Sequence, residues 1–293
     1  MKGEYVSSYS DGVGTWVRGS FHGHCSENSS CASVPLRESV RNYQEVGAGF
    51  VTLTDHDTIT DLTDVASAHP ELILIPGFEY STRENVVFAG PGVTPLYGQS
   101  LEDALEAASD LLTIVAHPKR WQDREYWTLP MLESLGVWPD GTEVFNGHYG
   151  LPSALAKGRW PLYNDFWDEI LTAGHRLWGY ANDDFHDPED FGNAWNMVLV
   201  EERSAAGVIQ SAKAGRCYAT TGLLMESFEI EGGQISVVTA ENCRGRFIGP
   251  GGEELQSTEG TRFTYTPRGE AYVRFEGKGG AGWLFPQPAF LNA

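Results

Sequence analysis

The sequence predicts an α/β fold, with seven strands alternating with helices in a closed or nearly closed barrel over residues 1–204 and a helix plus a small β-rich unit over 205–293. Two observations carry this reading. From residue 15 to about 205, short apolar runs rich in β-branched and aromatic residues alternate with amphipathic stretches, the signature of βα units. Beyond that point the chain turns to short alternating segments broken by Gly pairs, as antiparallel strands and their turns require.

The strand runs are 16–21, 50–54, 72–75, 112–115, 142–145, 177–180 and 195–200. Between them, PLRESVRNYQEVG places Pro35 near a helix start and Gly47 at its end, and NDFWDEILTAG opens on an Asn or Asp cap and stops at Gly174. RSAAGVIQSAKAG reads as a further helix, followed by SFEIEGGQISVVTA, GRFIGPGGEEL, TRFTYTP and EAYVRFEG as strands. The GPGG run is expected to be a hairpin turn and not a phosphate loop, because no helix with Lys-Ser or Lys-Thr follows it.

Composition narrows the function classes. With 41% apolar residues and 9 Trp, 12 Tyr and 14 Phe, the chain can bury a full core despite its net charge of -20. Forty acidic against 20 basic side chains repel phosphate chains, so no long nucleic acid is expected as a partner. An acid-rich, Lys-poor surface suits a salt-adapted host as well as an ordinary acidic protein. No apolar run reaches the roughly 20 residues needed to cross a bilayer, and the N-terminus has neither a basic start nor an apolar core. The expectation is a soluble, cytoplasmic protein without a membrane partner. The four cysteines form no CxxC pair, so reduced thiols are expected.

The chemistry lies directly after the strands. The first is followed by His22 and His24 in FHGH, the second by Asp55, His56 and Asp57 in TDHDT, and the third by Glu79 in GFE. The fourth ends in His117 of AHP, the fifth leads from Glu143 through Asn146 to His148, and the sixth enters DDFH with Asp183, Asp184 and His186. Parallel barrel strands point their C-terminal ends to one face, so these residues are expected to converge at one mouth. Residues two apart on an extended backbone share a side, which makes His22 with His24, and Asp184 with His186, chelating pairs. His69 and His175 precede strands and belong to the opposite end as helix-end or surface residues. Imidazole and carboxylate without thiolate suit Mn, Zn or Fe, and so many ligands favour more than one ion. Two neighbouring ions would lower the pKa of a shared water and clamp a phosphoryl group.

The ordered set FHGH, TDHDT, GFE, AHP, EVFNGH and DDFH resembles the polymerase and histidinol phosphatase (PHP) family over residues 19 to about 200. The resemblance implies a distorted seven-stranded (β/α) barrel and two or three divalent ions. By motif, His22, His24, Glu79 and Asp184 would hold the first ion. Glu79 would bridge to a second held by His117 and His148, and His56 and His186 would hold a third. The chain departs from the family after His24, where CSENSSC stands; Glu27 there is either an oxygen ligand or a solvated loop carboxylate. Asp55 is a candidate to orient a ligand imidazole, while Asp57 and Asp183 could be loop residues. Arg83, Lys119 and Arg120 follow Glu79 and His117 and are either phosphate-binding cations or ordinary surface charges.

The expected activity is hydrolysis of a small phosphate monoester or cyclic phosphate by a metal-bound hydroxide, with Glu79, Asp184 and His186 at the reacting centre. A phosphodiesterase or exonuclease acting on short oligonucleotides, and a non-catalytic metal-stabilised binding module, are the alternatives. The segments 121–141 and GHYGLPSALAKGRWPLYND are expected to shape the pocket, with Trp127, Tyr149 and Trp160 as core residues or stacking surfaces.

Overall fold

The computed structural model describes residues 4–9, 13–121 and 126–292, so residues 122–125 of the expected pocket-shaping segment lie outside the described residues. In chain order the strands of the first part are β1 (Glu4–Val6), β2 (Thr15–Ser20), β3 (Phe50–Leu53), β4 (Ile73–Tyr80), β5 (Val86–Ala89), β6 (Leu112–Val115), β7 (Gly141–Asn146), β8 (Trp178–Asn182) and β9 (Trp195–Val200). Eight of them form a curved sheet in the order β9-β2-β3-β4-β5-β6-β7-β8. The pairs β2/β3, β3/β4, β6/β7 and β7/β8 are parallel, whereas β5 is antiparallel to both neighbours and β9 is antiparallel to β2.

This corrects the expected seven-stranded barrel in two ways. Val86–Ala89 is an eighth strand, and 195–200 runs against the other six expected strands. The six strands that precede the motif residues nevertheless share one direction, because the reversal at β5 cancels between β4 and β6. Nor is the sheet closed: among the described residues no backbone ladder joins β8 to β9. The Asn196 side-chain amide bridges that seam, donating to the Ala181 carbonyl at 2.7 Å and accepting from its N–H at 3.1 Å.

Helices pack outside the sheet through their apolar stripes. In α1 (Leu36–Glu45) Val40 and Tyr43 are buried, and Gly47 follows with φ 78°. The short helices α2 (Thr63–Ala68), α3 (Leu101–Ala107), α4 (Leu129–Ser134), α5 (Gly147–Gly150) and α6 (Pro152–Leu155) follow the strands. In α7 (Asn164–Thr172) Phe166, Trp167, Ile170 and Leu171 are buried. Asn164 does not cap α7 as expected, because its side chain donates to Glu276 at 2.7 Å instead.

Helix α8 (Ala205–Lys213) covers the end of the sheet where strands begin. Val208, Ile209 and Ala212 pack with Val17, Phe50, Ile75 and Leu112. Lys213 Nζ donates to the Leu111 carbonyl at 2.6 Å and to Asp140 at 2.8 Å, both at strand starts. The opposite end, where strands finish, is left for the motif residues.

The remaining strands are β10 (Cys217–Thr220), β11 (Met225–Glu231), β12 (Gln234–Gly249), β13 (Glu253–Tyr265), β14 (Tyr272–Gly279), β15 (Trp283–Pro286) and β16 (Ala289–Asn292). All pairings here are antiparallel, and β10 pairs with β9 on one side and β15 on the other, so the sheet runs without a break from barrel to tail. The GPGG run is the turn between the long strands β12 and β13, with Gly251 at φ 74° and Gly252 at φ 73°, where a side chain would be strained. The tail has its own core of Phe228, Val237, Phe247, Phe263 and Phe275.

Candidate metal centre

His22 and His24 follow β2 on extended backbone and are both fully buried. The residue between them must be glycine, since a Cβ on Gly23 would lie 2.0 Å from the Phe185 ring. This close approach lets the His24 N–H donate to the Phe185 carbonyl at 3.1 Å and seats the HGH segment beside the DDFH loop. His117 and Asp184 sit at φ 31° and 50°, two of three non-glycine residues with left-handed backbone among those described. Strained backbone of this kind is retained where it aims a side chain at a functional point.

Glu79, fully buried, is the centre of the cluster. Its Oε1 lies 3.1 Å from His117 Nε2 and 3.4 Å from His22 Nε2, and its Oε2 lies 2.8 Å from His56 Nδ1 and 3.5 Å from His24 Nε2. Asp184 Oδ1 is 3.1 Å from His22 Nε2 and 3.2 Å from His24 Nε2. Among the described residues, four groupings have ligand atoms within 4.8 Å of one another: His22, Glu79 and His117; His22, His24 and Asp184; His24, His56 and His186; and His148, His186 and Asp190.

Several of these atoms lack hydrogen-bond partners. His22 Nε2, His56 Nδ1, Glu79 Oε2 and His117 Nδ1 are buried without one, although His56 Nδ1 and Glu79 Oε2 are close enough and only misaligned. Buried polar atoms left unpaired are costly unless a further group binds them. A divalent cation would supply that partner, so the residues present fit metal ions.

Outer partners set the free nitrogen of several rings. His22 Nδ1 is 2.9 Å from Glu143, which also accepts from the His117 N–H at 2.7 Å and from the side chains of Asn146 and Asn182 at 3.0 Å. His148 Nδ1 is 3.0 Å from the fully buried Asp190, and His186 Nδ1 is 2.7 Å from the Asp184 carbonyl. Each contact leaves Nε2 as the ring's free atom, the arrangement found where histidine ligates metal. Asn146 also donates to Asp184 Oδ2 at 3.1 Å.

The charges follow from this crowding. Burial favours the neutral acid at Glu79, but His22, His117 and His56 outweigh it and hold the carboxyl well below its usual range. Asp184 is likewise held low against burial, chiefly by His22 and His186. Burial pulls His24 down to about 4, whereas His56, also opposed by burial, is raised to about 10 by Cys31 and Glu79.

A cavity of about 410 Å³ opens over the cluster, and its wall includes His24, His56, Glu79, His117, His148, Asp184 and His186. Of the three cations expected to meet phosphate, only Arg120 reaches it. Arg83 is not on this wall and pairs with Glu102 at 2.9 Å, and Lys119 is held by Asp165 and Glu169 at 3.0 and 3.1 Å. Acidic neighbours outside the mouth have captured both. In their place stand Arg159 and Lys157, from the segment expected to shape the pocket. Arg120 stacks on Tyr126 at 3.8 Å and Arg159 on Trp121 at 3.7 Å, and Arg120 Nε and Arg159 Nη1 are buried without partners.

Glu27 is not at the cluster. It accepts the Leu36 N–H at 2.9 Å and so caps α1 from outside. Asp55 touches no ligand ring directly. It accepts from the Cys25 N–H at 2.9 Å and from Ser29 Oγ at 2.6 Å, and Ser29 Oγ is 3.4 Å from His24 Nδ1. Asp57 holds Ser81, and Asp183 accepts three N–H groups from residues 192–194. His69 Nδ1 lies 2.8 Å from Gln44, and His175 stacks on Trp138 at 3.6 Å, both away from this wall. Trp127 is core, Tyr149 lines the cavity and Trp160 does not.

Glu143, Asn146, Asp190, Lys157, Arg159 and Cys31 are the participants whose roles motif reading did not assign. Glu143 and Asn146 were legible as positions on the β7 run but not as supports. Asp190 had only its spacing, four residues after His186, to signal it.

No family model matches this chain, and no curated protein does. Among solved structures, the chain is similar to a two-domain protein from Bacteroides vulgatus containing a predicted PHP-like metal-dependent phosphoesterase, at 17% identity and a TM-score of 0.58, covering 100% of this chain and 98% of that one. A looser likeness is to a lesion-specific endonuclease from Pyrococcus furiosus, at 17% identity and a TM-score of 0.47, covering 69% of this chain and 56% of that one. Barrel and tail together therefore share the fold of that Bacteroides vulgatus protein over its two domains.

Proposed function

We propose that this chain is a metal-dependent phosphoesterase that hydrolyses a small phosphate monoester or cyclic phosphate. The observation that carries the proposal is one shared cavity holding two kinds of unpartnered group: imidazole and carboxylate atoms on its floor, and guanidinium nitrogens on its wall. The first set fits two or three divalent cations, Mn, Zn or Fe, and the second fits a phosphate anion. A volume of about 410 Å³ suits a small substrate.

Divalent ions bound here would make a water acidic and offset charge on the phosphoryl oxygens. The residues to hold them are His22, His24, Glu79 and Asp184, with His117 beyond Glu79 and His56 with His186 at the mouth, where His148 groups with His186 and Asp190. Glu79 has both oxygens aimed at different imidazoles, which suits a bridge. Arg120 and Arg159 orient the phosphate through charge-assisted bonds, and stacking on Tyr126 and Trp121 holds each guanidinium plane in place. Tyr149, buried against His117, excludes water from that side.

The test is hydrolysis of a chromogenic phosphate monoester and diester by chelated protein before and after Mn or Zn is added. Metal-restored turnover, competitively inhibited by inorganic phosphate, is expected. Absence of turnover across a broad phosphate panel would replace this reading with a metal-stabilised binding module.

A further inference from the structure

Tyr149 stands where the imidazole floor of the cavity meets its guanidinium wall. Its ring is edge-to-face with His117 at 5.5 Å and with His148 at 5.2 Å, and the Arg159 guanidinium lies over it at 4.9 Å. The side chain lines the cavity and is only 6% exposed, yet its hydroxyl has no hydrogen-bond partner among the described residues. We propose that this hydroxyl donates a hydrogen bond to an oxygen of the substrate's phosphoryl group, as an uncharged donor beside Arg159. The inference deepens the reading above and rests on it.

The missing partner is the observation that carries the assignment. A buried hydroxyl without a partner is costly. Comparably buried tyrosines in this chain avoid that cost: Tyr43 donates to Asp183 at 3.1 Å, Tyr180 to the Ala212 carbonyl at 2.9 Å and Tyr272 to Asp168 at 3.0 Å. The Tyr163 hydroxyl is unpartnered too, but that residue does not line the cavity. Tyr149 does, so the acceptor for its hydroxyl is the occupant of the cavity. A phenol keeps its proton near neutrality, so it serves there as a donor, and a phosphoryl oxygen is the acceptor that the neighbouring guanidinium groups also favour.

The ring is positioned from the floor of the site. The Tyr149 N–H donates to Asn146 Oδ1 at 3.2 Å, and the amide nitrogen of Asn146 donates to Glu143 at 3.0 Å and to Asp184 at 3.1 Å. One side chain thus sets the turn that carries His148 and Tyr149 against the two carboxylates. From the wall, Arg159 touches both the Trp121 and the Tyr149 rings. A donor fixed in advance stabilises charge on the phosphoryl oxygens without reorganising, and a neutral one does so without repelling the cations beside it.

The experiment uses the full chain reconstituted with Mn, as wild type and Tyr149→Phe, which keeps the ring against His117, His148 and Arg159 and removes only the hydroxyl. Metal per chain, kcat and KM on the chromogenic monoester, and calorimetric binding of inorganic phosphate are measured; the phosphate titration needs no turnover. Tyr149→Phe is expected to keep its metals, to lose about 10- to 100-fold in kcat/KM, mainly through kcat, and to bind phosphate about tenfold more weakly. Equal kinetics and equal phosphate affinity in the two proteins would overturn the role of the hydroxyl and leave the proposed phosphoesterase centre standing. Lower turnover accompanied by metal loss would overturn it as well, because the effect would then run through the His117 and His148 rings. A wild type that neither hydrolyses a phosphate ester nor binds phosphate would overturn both.

Discussion

At the scale of single residues, Glu79 and Arg83 sit four positions apart and have opposite fates. Glu79 is buried among four imidazoles, and in the proposed centre its carboxylate would bridge two cations. Glu79→Gln is expected to remove that charge, so that neighbouring ions repel, and to lower metal content and turnover together, by on the order of 100-fold or more in rate. Arg83→Ala removes ion pairs with Glu84 and Glu102 outside the cavity and should change turnover by less than about threefold, the effect of surface ion pairs. Metal analysis and specific activity of both variants at saturating Mn check this, and a Glu79→Gln protein that keeps its metals would sink the bridging assignment. Arg159→Ala is expected to weaken inhibition by inorganic phosphate tens-fold, about 2 kcal/mol for a lost charge-assisted bond, with metal content unchanged. Unaltered phosphate inhibition would remove Arg159 from the anion site.

At the scale of elements, the contact of α7 with β14 is a buried charge cluster. Arg274 is 1% exposed and donates to Asp168 at 2.6 and 2.7 Å and to Glu276 at 3.1 Å, while Arg246 pairs with Glu276 from β12. Arg274→Met would leave Asp168 with little more than the Tyr272 hydroxyl, and should destabilise the fold by about 3–5 kcal/mol in denaturant titration. The cluster also gives a pH dependence. Burial works to raise the Glu276 carboxyl, but Arg274 and Arg246 outweigh it and hold it below 4.5. A carboxyl depressed on folding contributes stability that is present above its unfolded value and is lost as pH falls through the folded one. The unfolding midpoint should therefore hold near neutrality and decline below about pH 4.5, and this step should flatten in Glu276→Gln. An unchanged acid limb in that variant would show that other carboxylates carry it.

At the scale of the whole molecule, the tail completes the barrel. The Gln287 side-chain amide donates to the Gly179 carbonyl and accepts from its N–H, both at 2.8 Å, on the edge strand β8. Together with Asn196 it does by side chains what a ladder would do in a closed barrel. Gln287→Ala would leave two buried backbone groups unpaired and is expected to cost about 2–4 kcal/mol. Removal of β10 to β16 should expose the edges of β8 and β9 and yield an aggregating barrel. A monomeric, folded truncation by size-exclusion and circular dichroism would show that the seam closes without the tail.

The sequence by itself determined the inward-facing histidines and carboxylates. Their positions after strand runs, and the one direction shared by those strands, are local properties of period and spacing, and they converge wherever the sheet curls. It also determined the GPGG hairpin, because only glycine tolerates that backbone. The tertiary structure alone decided strand direction at 86–89, whose four apolar residues suit either orientation. It also decided which charges face the cavity. Arg83 and Lys119 lie beside motif residues yet pair outward, while Arg159 lies 39 positions beyond Arg120 and stands with it on one wall. A side chain's partner depends on what folding brings within about 4 Å, and spacing along the chain carries no record of that for residues on loops.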